Sequence, residues 1–124
     1  MGNDSREFLK NVILFKDLPP AQLEKVGKLV NEKAFPKYQI IFEEGEAGES
    51  LYIIKSGLVK ISKEASDGRV KTLALLKAGE FFGEMSVLSD DGRSANAETL
   101  TDATLLIMTK SDFEALLDKK FGEE

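Results

Sequence analysis

Between Pro36 and Lys110 no apolar stretch of this chain keeps a helical period; short apolar runs alternate with glycines instead. The runs fall at 39–42, 51–54, 59–62 and 70–76, with two more near 94–99 and 104–109. Val59-Lys60-Ile61-Ser62 alternates with period two and predicts a strand with one buried face. Asp67-Gly68 predicts the hairpin turn that returns 70–76 as its partner. Gly79 and Gly83 bracket Glu80-Phe81-Phe82. Short strands spaced this closely favour a closed roll or sandwich over a parallel sheet.

Helical rhythm appears only at the two ends. Phe8, Leu9 and Val12 suggest a short helix over 5–12. Leu18-Pro19-Pro20 is a break, and proline is tolerated at a helix start because its missing N–H has no partner there. Leu23, Val26, Leu29 and Val30 then predict an amphipathic helix over 20–31. At the other end, Phe113, Leu116 and Leu117 share a face over 111–121, with Ser111 and Glu114 spaced as a capping box and Gly122 as the stop. The expected fold is mainly β with flanking helices: an antiparallel, jelly-roll-like β-roll over 33–109, an N-terminal helical segment over 5–31 and a C-terminal helix. The 124 residues suit one domain with one core.

Composition removes several classes of function. There is no histidine, so a histidine-ligated metal site and a serine–histidine hydrolase are excluded. There is no cysteine, which forbids disulfides and fits a reducing cytoplasm. A net charge of −5 argues against the broad basic face that nucleic-acid binding needs. Apolar runs such as Leu105-Leu106-Ile107-Met108 are too short to cross a bilayer as a helix. Arg6, Lys10 and Lys16 interrupt any signal-peptide pattern. Glu43, Glu44 and Glu46 lack the spacing of a calcium loop and read as a solvated turn.

The chemistry concentrates in residues 82–95, Phe82-Gly83-Glu84-Met85-Ser86-Val87-Leu88-Ser89-Asp90-Asp91-Gly92-Arg93-Ser94-Ala95. Gly83 lets backbone approach closely, and a short helical turn after it would offer free N–H groups to an anion. A guanidinium follows at Arg93, suited to two phosphate oxygens at once. Glu84 is a carboxylate beside the same place and would accept a hydrogen bond, with a ribose hydroxyl the natural donor. Arg93 paired with Glu84 or Asp91, and Glu84 as a simple helix cap, are the bland alternatives.

This segment resembles the phosphate-binding cassette of cyclic-nucleotide-binding domains, through Phe82-Gly83-Glu84 and Arg93-Ser94-Ala95. The flanking Gly45, Gly48, Gly57 and Gly79 match the family's order, and the likeness runs from about Phe8 to Phe121. It implies a regulatory sensor, not an enzyme, whose ligand is cAMP by default or cGMP. By the same resemblance Arg93 pairs with the cyclic phosphate and Glu84 accepts the ribose 2′-hydroxyl. Backbone N–H groups of Gly83, Glu84, Met85, Ser86, Ser94 and Ala95 complete the cradle, and the Ser94 hydroxyl serves either nucleotide. Phe82 is a candidate pocket wall, while Met85, Val87 and Leu88 read as packing.

The departures matter as much. Gly92 stands where many members carry proline, which predicts a looser loop, and Asp90 and Asp91 would weaken affinity if they faced inward. The family usually continues into a long helix closing over the base, and the sequence ends at Glu124, so a minimal lid or a fragment is expected. Dimerisation in the family often uses that helix, so a monomer is expected. The output would pass to a protein partner or fused effector domain. The competing expectation is a degenerate member kept as a protein-interaction module.

Overall fold

The computed structural model describes residues 19–84 and 91–115. Helix α1 spans Pro20–Leu29 and buries Leu23 and Val26. Pro20 opens it without a side-chain cap; the amides of Gln22 and Leu23 bond the carbonyl of Pro19. The helix stops two residues before the expected end, because Val30 turns extended and Asn31 already belongs to a strand.

Eight strands follow: β1 Asn31–Phe35, β2 Ile40–Phe42, β3 Ser50–Ser56, β4 Val59–Glu64, β5 Val70–Leu76, β6 Phe81–Phe82, β7 Asn96–Thr99 and β8 Ala103–Thr109. They form two antiparallel sheets, ordered β1-β8-β3-β6 and β2-β7-β4-β5. This is the expected roll. Its first strand opens at Asn31, two residues ahead of the expected start of the roll at 33. Asn31–Phe35 buries only Phe35, so it carries no alternation for a sequence pattern to reveal.

Apolar side chains collect in two clusters. Leu51 and Ile53 of β3 and Leu106 and Met108 of β8 meet Leu23, Val26 and Phe113 on the helical side. Ile54, Leu105, Ala103, Val59, Ala97, Phe35, Phe42 and Phe82 fill the space within the roll. Strands β3 and β8 are therefore covered on both faces, which explains the unbroken run Leu105–Met108 in place of alternation.

Three register skips shape the roll, each adding one unpaired residue to a strand: Ile41 in β2, Lys55 in β3 and Leu73 in β5. A bulge bends its strand and re-aims the next side chains. After Ile41, Phe42 enters the core. Beside the bulge of β5, strand β4 buries Val59 and Ser62, and Ile61 is only half-buried. The single face of Val59 and Ile61 expected from period two is thus broken after one repeat. Asp67-Gly68 does form the β4–β5 turn, with the Gly68 amide bonded to the carbonyl of Ala65.

Residues 110–115 are helical. The cap is Thr109, whose Oγ1 accepts from the Asp112 amide at 3.2 Å. Ser111 lies inside the first turn and is not the N-cap that its spacing with Glu114 suggested. The strand simply runs straight into the helix, so the hydroxyl at its last residue is the one in reach of the free amides. Expected features at 5–12, 85–90 and 116–121 lie outside the described residues.

Candidate functional site

The site is assembled where the two sheets meet. Tyr52 of β3 and Phe82 of β6 are cross-strand partners, and their rings stack at 5.2 Å. Phe42, turned inward after the β2 bulge, tilts against both at 5.8 Å. Gly83 follows β6 with φ of +86°. A Cβ there would sit 2.7 Å from Arg93 Nη1, so this glycine is required twice, for its backbone angle and for the approach of the arginine.

Arg93 is held at its backbone first. Its amide donates to the carbonyl of Glu46 at 2.7 Å, and the Gly45 amide donates to its carbonyl at 2.8 Å. Gly92 lies flush on the same turn, since a Cβ on it would meet the Gly45 carbonyl at 2.7 Å. Arg93, Ala95, Ala97 and Thr99 are buried in turn, with Ser94 exposed between the first two, as the chain bends at 94–95 and enters β7.

The guanidinium is buried, with the residue 4% exposed. Nη1 donates to the carbonyl of Gly83 at 2.9 Å and Nη2 to that of Ser50 at 2.7 Å. Among the described residues Nε has no partner, and no carboxylate forms an ion pair with the group. The alternative of an arginine paired with Glu84 or Asp91 is not what forms, and Asp91 is exposed. Burial pulls the guanidinium pKa below its ordinary value, while Tyr52 and Glu46 act in the opposite sense. Arginine nevertheless keeps its proton in proteins, so a full positive charge stands here with backbone carbonyls as its hydrogen-bond partners.

An open cavity of about 230 Å³ faces this charge. Phe82, Gly83, Glu84, Arg93, Ser94 and Ala95 line it, which brings together every expected site residue that is described; Met85 and Ser86 lie outside the described residues. Phe42, Ile61, Leu76 and Phe81 complete the wall. Sequence reasoning assigned Phe42, Ile61 and Leu76 no role there. Their apolar character signals core, and only the bulges of β2 and β5 tell which core residues border a cavity. Ser50 was also missed, and no signal could have found it, because it contributes a backbone carbonyl.

Comparison with known proteins agrees with this geometry. The family model described as "Cyclic nucleotide-binding domain" matches residues 32–120. The Cyclic AMP receptor protein of Thermus thermophilus is 36% identical over 109 residues, 88% of this chain and 50% of that protein. The human cGMP-dependent protein kinase 2 is 37% identical over 112 residues, 87% of this chain and 14% of the kinase. The crystal structure of the Thermus thermophilus catabolite activator protein superimposes with a TM-score of 0.80 at 36% identity, covering 86% of this chain and 50% of that one. The chain thus spans at most about half the length of these relatives. By sequence, by fold and by the match over most of its length, the chain belongs to the cyclic nucleotide-binding domain family.

Proposed function

We propose that this chain is a regulatory module that binds a cyclic nucleotide, with cAMP preferred over cGMP, and that it performs no chemistry on the ligand. The observation that carries this is Arg93: a buried cation with no carboxylate partner among the described residues and an unpartnered Nε, set in the wall of a cavity. A buried charge left without a counter-charge is costly, and a small anion in the cavity would relieve it. A cyclic phosphate is such an anion. Arg93 would pair with it, and amides of Gly83, Glu84, Met85, Ser86, Ser94 and Ala95 would add donors around it. Glu84, already at the cavity wall, would accept the ribose 2′-hydroxyl. The preference for cAMP is supported by the relative named a cyclic AMP receptor protein, while the kinase named for cGMP makes cGMP the necessary competitor.

Cytoplasmic residence, a monomeric state and output through a partner or fused domain belong to the same proposal. A protein-interaction role without ligand is the second reading. It is favoured by Val70, Leu73 and Leu75, which are exposed on β5, an edge strand.

Isothermal titration with cAMP and cGMP, on the wild type and on Arg93→Ala, tests the first reading. Saturable binding with one ligand per chain is expected, lost by at least thirty-fold on the order of 2–5 kcal/mol in the variant. Absence of binding to the wild type at millimolar nucleotide would transfer support to the second reading. Wild-type affinity in Arg93→Ala would overturn the phosphate assignment.

A further inference from the structure

The hydrogen bonds of Arg93 restrain the edges of its guanidinium, and something else restrains its face. The guanidinium carbon lies 4.1 Å from the centroid of the Phe42 ring and 5.8 Å from that of Tyr52. Phe42, Tyr52 and Phe82 come from β2, β3 and β6, so both sheets contribute to the aromatic group under the cation. Phe42 reaches this position through the register skip at Ile41, and its contact with the cation is the shorter of the two.

We infer that Phe42 is a positioning residue for the ligand. Its ring face holds the guanidinium in one plane before any anion arrives. This rests on the reading of Arg93 as the phosphate-binding group. A cation over an aromatic face is attracted by the ring's negative quadrupole, more strongly where water is excluded. An aliphatic residue of similar bulk would fill the same space without that attraction. The plane of the cation would then be free to turn about the bonds to Gly83 and Ser50. A ligand would have to immobilise the group itself, and ordering a side chain on binding lowers affinity.

The test keeps the shape of residue 42 and changes its electrostatics. Phenylalanine at 42 in the full chain is replaced by its mono-, di- and trifluorinated forms, and cAMP is titrated into each. Fluorine drains negative charge from the ring face while altering size little. Affinity is expected to fall stepwise, reaching on the order of ten-fold with three fluorines. Phe113, buried against α1 and not part of the site, receives the same series as a control and is expected to leave affinity unchanged. A flat series at Phe42 would overturn the positioning role, as would an equal fall in both series, which would mark a general loss of packing. Arg93→Ala separates the two levels. If it abolishes binding while the Phe42 series is flat, the phosphate assignment stands and the platform fails. If it binds like the wild type, or the wild type binds no nucleotide, the platform has nothing to position and fails with the reading beneath it.

Discussion

Gly68 and Gly83 share a backbone angle, φ of +86°, and differ in what surrounds them. At Gly68 an added Cβ meets nothing within 4 Å; at Gly83 it meets Arg93 Nη1 at 2.7 Å and the Ser50 carbonyl oxygen at 3.2 Å. Alanine at Gly68 therefore carries only left-handed backbone strain, about 1–2 kcal/mol. Alanine at Gly83 carries the same strain, and it must also move the guanidinium off the Gly83 carbonyl. A hydrogen bond to a charged group contributes about 1.5–3 kcal/mol, so Gly83→Ala should cost about 2.5–5 kcal/mol. At about 4 °C per kcal/mol for a domain of this size, thermal unfolding by circular dichroism should fall by about 4–8 °C in Gly68→Ala and about 10–20 °C in Gly83→Ala. Nucleotide titration should show wild-type affinity in the first variant and at least ten-fold loss in the second, since only the second displaces the group assigned to the phosphate. Equal melting temperatures, with affinity intact in both, would refute the packing of Arg93 against Gly83.

Three further outcomes are expected. Thr109→Ala should lower stability by about 1 kcal/mol through loss of the cap on the Asp112 amide, and Ser111→Ala should leave it within about 0.5 kcal/mol, measured by urea unfolding. The reverse ranking would restore Ser111 as the cap. Burial raises the Tyr52 phenol above its ordinary 10.0, although Arg93 partly opposes this, so the unfolded chain loses the proton first. That contribution to stability is complete below pH 10 and is lost as pH climbs through the folded value; Tyr52→Phe should lack the loss, and parallel stability curves for the two proteins above pH 10 would contradict it. Leu73→Thr, on the exposed bulge of β5, should change stability by less than about 0.5 kcal/mol, and a larger loss would show that the side chain is packed.

Sequence carried the roll and its cassette to different depths. The hairpin at Asp67-Gly68 was legible because its turn chemistry is local. Arg93, Glu84 and Gly83 were legible because they stand within one short stretch of sequence, 82–95, whose residue types already suit an anion, and all three line the cavity. What stayed hidden depends on long-range pairing. Asn31–Phe35 is a strand only because Glu32 and Lys33 lie opposite Leu106 and Leu105. Ile61 is half-buried beside a cavity because its partner strand carries Leu73 as an extra residue, and no pattern within 59–62 encodes that. The cap moved to Thr109 for a similar reason, since where a helix starts depends on where the preceding strand stops pairing.

The two carbonyls that hold Arg93 come from 10 and 43 residues away along the chain. No local fragment can reproduce that arrangement, so a denatured chain would offer a nucleotide only an ordinary hydrated arginine. Ligand would then bind the native state alone, and the rise in melting temperature with nucleotide concentration would follow mass action, about 2.7 kcal/mol at one hundred times the dissociation constant. The geometry also lends itself to reconstitution. A cut in the exposed turn between β4 and β5 leaves Ser50 and Phe42 on one piece and Gly83 and Arg93 on the other. Neither piece holds a complete cavity, so the return of nucleotide binding would count the molecules in which both sheets had closed again.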